Sequence, residues 1–183
     1  MPALRSDAAR SRARILDVAR RRDLADLRFN DLAREAGVGV GTVYRHFPTT
    51  HALVEALVFD TLDRLRGLVG QAVAERDPQA ALADLLAAAL DLQLEEGGLQ
   101  QVLLAGDAED DDVRAATREI RDGFEQILAR ARDAGVVRPD LTAGQIEHLV
   151  CGVEHAVRLG SAADRGTFLQ ILLDGLRPVH AGG

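Results

Sequence analysis

With 183 residues, 47% of them hydrophobic but only 3% aromatic, the chain suits one sizeable core or two small units sharing one, and its single cysteine excludes an intrachain disulfide framework. The net charge of −7 argues at first against a nucleic-acid partner, yet it is unevenly divided: residues 1–48 carry ten Arg against six acids (+4), residues 49–183 twelve Arg against 23 acids (−11). That is the asymmetry expected if one end alone touches a polyanion; the plainer alternative is an acidic protein with an Arg-rich first helix.

Along the chain the apolar spacing is helical throughout. Ser6 or Asp7 can cap a first helix to about Arg22, with Ile15, Leu16 and Ala19 inward. A short second helix carries Phe29, Leu32, Ala33 and Ala36 and closes at Gly37; a short third starts near Gly39–Gly41, turns Val43 and Phe47 inward and stops at Pro48. Thr49 or Thr50 caps a long fourth helix on Val54, Val58, Leu62, Leu65 and Val69. A fifth follows Asp77-Pro78 and ends at Gly97-Gly98, a short segment covers Leu99 to Leu104, and a seventh has Val113, Ile120, Phe124 and Ile127 on one face. Its other face spaces Arg118–Asp122 and Arg121–Glu125 as ion pairs. The last two helices cover about 143–159 and 163–176.

Missing strand-type runs make the fold class all-α. No apolar run approaches bilayer length and no secretory apolar region follows the N-terminus, so no membrane partner and a cytoplasmic location are expected for a chain whose lone thiol is Cys151. Every basic residue is Arg and none is Lys.

The stretch "AGVGVGTVYRHFPTTHAL" (residues 36–53) is the most informative. A nucleotide-binding glycine loop would need a preceding strand, and a Walker loop also a Lys; neither is here. Short helix, glycine turn and short helix fit a helix-turn-helix, in which the second helix presents its outer face to a DNA major groove. Gly37 permits the tight turn, while Gly39 and Gly41 allow backbone to approach phosphates.

Here the sequence resembles the TetR family of transcriptional regulators. "FNDLAREAGVGVGTVYRHFPTTHALVEAL" (residues 29–57) carries the resemblance, and "GVVRPDLT" and "LLDGLRP" look like an actinobacterial-type subgroup. The resemblance implies an N-terminal three-helix helix-turn-helix head (residues 1–48) joined by a long helix to an α-helical ligand-binding and dimerisation bundle (residues 49–183). It implies a homodimer on a palindromic double-stranded DNA operator, a repressor released by a small effector, with no enzymatic activity and no cofactor. By position, Thr42 and Tyr44 match base- and phosphate-contacting residues, Val40 and Gly41 the helix entrance, Arg45 and His46 backbone contacts, and Asn30 a position able to reach a base edge. Tyr44 can instead pack between helices, His46 cap its helix, and Asn30 serve helix-start chemistry.

Three features depart from the family pattern. Thr50 replaces the usual phosphate-gripping Lys, Gly39 replaces the usual Ser, and the link "RRRDLADLRF" is short. Arg28 and the N-terminal Arg5, Arg10, Arg12 and Arg14 are candidates to compensate. The alternative these departures raise is a helical dimer with lost or altered operator binding, acting as an interaction protein.

Helix 143–159 has two uncharged faces. Ile146, Leu149, Val150, Val153 and Val157 form one; His148, Cys151, Gly152, His155 and Leu159 form the other. With Phe168 and Leu172 of the last helix, the second face is the expected dimer interface. The His148, Cys151, His155 spacing also fits a metal site, but such residues serve equally as interface filler, and no metal is assigned. Glu109 to Asp112 are read as acids favouring a helix N-terminus. A pocket for an apolar or amphipathic effector is expected among Leu85, Leu86, Ala89, Leu99, Leu103, Phe124, Ile127, Leu128 and Val150, residues that could equally fill a solid core.

Overall fold

The computed structural model describes residues 2–106 and 108–178, with the side chains of residues 2–6 and of Ala25 outside that description. Among the described residues there are nine α-helices, two short 3-10 turns and no strand, so the chain is all-α. The helices are α1 (Pro2–Ala19), α2 (Phe29–Ala36), α3 (Val40–His46), α4 (Thr50–Ala74), α5 (Pro78–Glu95), α6 (Leu99–Ala105), α7 (Asp111–Asp133), α8 (Ala143–Leu159) and α9 (Arg165–Leu176).

Their ends follow from local chemistry. Thr49, not Thr50, caps α4: its hydroxyl accepts the Ala52 N–H at 3.0 Å. Asp77 caps α5 by accepting the Gln79 N–H at 3.0 Å, with Pro78 at a first-turn position that needs no donor. Thr142 and Gln145 form a reciprocal capping box at the start of α8. Gly135 ends α7 at φ 70°, a left-handed conformation that costs glycine little, and Val136 donates back to the Ala131 carbonyl at 2.8 Å. The first helix begins at Pro2, upstream of the expected Ser6 or Asp7 cap, and stops at Ala19, short of Arg22. Its last turn tightens there, with Arg21 and Arg22 bonding three residues back, to Val18 and Ala19.

The chain forms two compact units, and α4, α6 and α7 supply residues to both. Unit one comprises residues 1–60 and 101–114. Helices α1, α2 and α3 pack on one another, and Ile15, Leu32, Val43, Phe47 and Leu53 are essentially sealed from solvent. Burying side chains of this size contributes roughly 1.5–3 kcal/mol each.

Unit two comprises residues 61–100 and 115–183. Its core is aliphatic, built on Leu62, Leu90, Leu128 and Ile146, with Phe124 the one phenylalanine among its buried residues. Arginine forks close several helix ends here, a role lysine's point charge fills less well. Arg130 donates to the Val73 carbonyl at 2.8 Å at the end of α4, Arg158 to the Gln93 carbonyl at 2.8 Å near the end of α5, and Arg165 grips Asp91 through both carboxylate oxygens, at 2.6 and 2.7 Å. The expected pairs Arg118–Asp122 and Arg121–Glu125 do not form; with Arg preceding the acid the order opposes the helix dipole, and these exposed side chains stay solvated.

Candidate nucleic-acid interface

In unit one the turn between α2 and α3 is a tight left-handed one. Gly37 sits at φ 64°, and the Val38 N–H returns to the Ala33 carbonyl at 3.0 Å. Only glycine adopts that backbone without strain of roughly 1–2 kcal/mol. Gly39, extended at φ −70° and ψ 145°, precedes α3 with no side-chain cap, so the first N–H groups of α3 gain no hydroxyl acceptor from it.

Helix α3 is too short to be stable alone and is held through Val43 and Phe47, exposed by only 0% and 1%. That anchoring decides which residues face out. Val40, Gly41, Tyr44 and Arg45 are exposed, while Thr42 and His46 are half-buried. Tyr44 is 55% exposed, yet its ring meets Phe29 edge-on with centroids 4.9 Å apart. The packing of Tyr44 is thus made on Phe29 of α2, and the rest of the side chain faces solvent.

Asn30, on α2, is exposed and beside Arg28, whose extended backbone precedes the helix with no side-chain cap bond. Among the described residues neither Arg28 nor Arg45 has an ion-pair partner, so their guanidinium charges are uncommitted. Arg22 and Arg34, by contrast, are tied to Glu35 and Asp31. Glu35 raises the already high pKa of Arg22 mainly through their hydrogen bond. Arg12 lies over the Phe47 ring at 5.4 Å, Arg10 pairs with Asp7, and the Arg5 side chain falls outside the described residues. Thr50 is exposed at the start of α4.

Sequence reasoning missed Glu55. Its side chain is 1% exposed, and its carboxylate accepts the Glu109 N–H at 2.8 Å and the Asp110 N–H at 3.0 Å, with His51 Nε2 3.0 Å away. Thr49 reinforces the same junction by donating to Glu109 at 2.6 Å. The signal was there: an acid among Leu53, Val54, Leu57 and Val58 on a buried arc needs partners.

In unit two most of the expected effector-pocket residues are core. Leu85, Leu86, Leu99, Phe124, Ile127, Leu128 and Val150 are buried and Ala89 is half-buried, while Leu103 belongs to unit one. A groove of about 210 Å³ between α4 and α5 is lined by Leu85 with Leu68, Ala81 and Ala88; the other expected residues do not line it.

On α8, His148, Gly152, His155 and Leu159 are exposed as an outward face requires. Cys151 and Leu172, expected at the interface, are buried within unit two instead, and Phe168 is half-buried. Leu149 and Ile171 take the outward places, at 46% and 63% exposure. Only residues at the edges of the expected faces change sides, Cys151 and Leu172 turning inward and Leu149 outward, where α8 and α9 pack on each other. Burial raises the Cys151 pKa to about 11, with Glu154 and Glu147 adding to the shift. No cluster of three metal-ligating side chains occurs among the described residues, and no helix there is long and apolar enough to cross a membrane.

Two segments of the chain match known protein families. Residues 15–57 match the family of bacterial regulatory proteins described as tetR, and residues 77–178 match the C-terminal domain of SbtR-like transcriptional regulators. The TetR transcriptional regulator SCO0520 of Streptomyces coelicolor is 29% identical, covering 92% of this chain and 99% of its own, with a TM-score of 0.55. The same fold occurs in LfrR of Mycobacterium smegmatis, solved in complex with proflavine (23% identity, 91% and 95% coverage, TM-score 0.59). It occurs again in the ketosteroid regulator KstR2 of Mycobacterium tuberculosis (19%, 91% and 95%, 0.60). No curated protein sequence matches the chain. The families matched are transcriptional regulators, not enzymes.

Proposed function

The chain belongs to the TetR family of transcriptional regulators, and on that premise we propose that it is a homodimeric repressor released from a palindromic operator by a small apolar or amphipathic effector. The observation that carries the reading is α3 itself. It is fastened by Val43 and Phe47 and turns Val40, Gly41, Tyr44 and Arg45 to solvent, and the exposed Arg28 before α2 is likewise uncommitted. In this reading residues 1–48 bind DNA and residues 49–183 dimerise and sense the effector. Thr42 and Tyr44 contact bases and phosphates, and Asn30 reaches a base edge. Arg28, Arg45, His46 and Thr50 meet the backbone.

The dimer surface is the outward side of α8 and α9, where Leu149, Leu159 and Ile171 are exposed without an intrachain cover. Two such helix pairs about a two-fold axis make a four-helix interface. The two α3 helices must then lie roughly 34–36 Å apart to enter successive major grooves, and an effector that favours another spacing releases the DNA.

Selection of bound sites from random duplexes tests the reading. A palindrome of two half-sites with fixed spacing is expected, bound with strong salt dependence. Absence of any selected sequence would favour the alternative, a dimer that has lost operator binding, to which Thr50 and Gly39 point.

A further inference from the structure

The groove of about 210 Å³ between α4 and α5 lies wholly in unit two and has no part in operator recognition or dimerisation as proposed above. We propose that it binds an amphipathic cation, a short alkylamine whose chain lies on an alanine-rich floor and whose ammonium meets Asp84, Glu75 and Gln71. The binding claim does not depend on operator recognition.

Helical period builds the groove. On α4 and just past its end, Leu68, Gln71, Ala72 and Glu75 are spaced three and four apart, so they form one stripe. The Glu75 N–H still returns to the Gln71 carbonyl at 3.1 Å, which keeps the two a single turn apart. Ala81, Asp84, Leu85 and Ala88 repeat the spacing on α5, after Asp77 and Pro78 have turned the chain back. Three alanines stand where longer side chains would meet, and a gap is left between the stripes. Its floor is apolar: Ala72, Ala81 and Leu85 are buried, Leu68 and Ala88 half-buried.

Charge selects the ligand class. Both charged residues of the lining are acids, and no arginine or histidine lines the groove. Asp84 is exposed and has no ion-pair or hydrogen-bond partner among the described residues. Glu75 accepts the Arg76 and Asp77 N–H groups at 2.6 and 3.0 Å, neutral donors that leave its charge in place. Two arginines stand at this end of α4. Arg130 donates to the carbonyls of Val73, Glu75 and Arg76, and Arg76 is exposed outside the lining. An ammonium brings three donors and no acceptor, which matches two carboxylates and the Gln71 carboxamide oxygen. An anion would meet two like charges and gain no cationic partner. The volume falls below the roughly 300 Å³ at which drug-sized sites begin, so it suits one short chain, whose methylenes leave water on the apolar floor.

The test is calorimetric titration of the full chain with n-hexylammonium, alongside backbone-amide NMR. One saturable site per chain is expected, with shifts clustered in the facing stripes of α4 and α5. Asp84→Asn should weaken binding about threefold, as for an exposed ion pair, and Asp84→Asn with Glu75→Gln about tenfold. Ala88→Leu, which fills the groove, should also weaken it about tenfold. Thermal unfolding checks that each variant folds, and Ala88→Met replaces Ala88→Leu if it does not. The proposal is overturned if hexylammonium does not saturate at millimolar concentration, or if hexanoate or 1-hexanol binds as tightly. Shifts clustered outside α4 and α5, or affinity unchanged in the double variant, would overturn it equally.

Discussion

Tyr44 sets its ring edge-on to Phe29 and leaves its hydroxyl end to solvent, so the two halves of one side chain can be tested separately. Tyr44→Phe keeps the ring contact and removes the hydroxyl. It is expected to leave the thermal midpoint unchanged and to lower operator affinity, by about 1–3 kcal/mol if the hydroxyl is base-specific. Thr42→Ala is expected to relax sequence preference, read by repeating the site selection. If neither substitution alters affinity or preference, α3 does not read the operator as assigned. Thr50 permits a gain-of-function counterpart. Thr50→Lys restores a cation at the exposed start of α4 and should steepen the slope of log affinity against log salt by about 0.9.

At the scale of elements, two contacts hold helices in place. In unit two, a Cβ on Gly123 of α7 would come 2.3 Å from Val69 Cγ1 of α4, a distance side chains do not tolerate. Gly123→Ala would gain about 1 kcal/mol of helix propensity but overpack by about 1–3 kcal/mol. Val69 is buried and β-branched, so it yields poorly, and net destabilisation is expected in urea titration. In a Val69→Ala background the same substitution should become stabilising; a penalty that persists there would show that this contact is not its cause. In unit one, Glu55→Gln removes one of the two carboxylate oxygens that accept from Glu109 and Asp110. Leaving one N–H unpaired should cost about 1–3 kcal/mol. Amide exchange should speed up at residues 109 and 110 before it does at Leu32.

For the molecule as a whole, the uncovered apolar residues of α8 and α9 predict its assembly. Leu159→Glu with Ile171→Glu places charges on exposed sites of one chain, where folding should be little affected. Across a two-fold interface those charges would be desolvated and repelled, so sedimentation should move from dimer to monomer with helicity unchanged. Retention of the dimer would place the interface elsewhere. The buried Cys151, with its pKa raised to about 11, should alkylate far more slowly in the native chain than in urea.

Much of this was legible in the residues themselves. The glycine turn at Gly37 and the buried row of α4 are set within a few residues, by propensity and period, and the sequence by itself determines them, as it narrows the α4 cap to Thr49 or Thr50. The dense pattern of residues 29–57 was enough to identify the family, because a helix-turn-helix packs its whole specification into one short segment. Which of Leu149, Cys151, Ile171 and Leu172 faces outward depended on the rotation of α8 and α9 against each other, which a helical period fixes only to within about a residue. The partners of Glu55 lie 54 and 55 residues away. Such long-range juxtapositions belong to tertiary structure alone, since only packing decides which distant donors meet a buried acid and which cations are left without one.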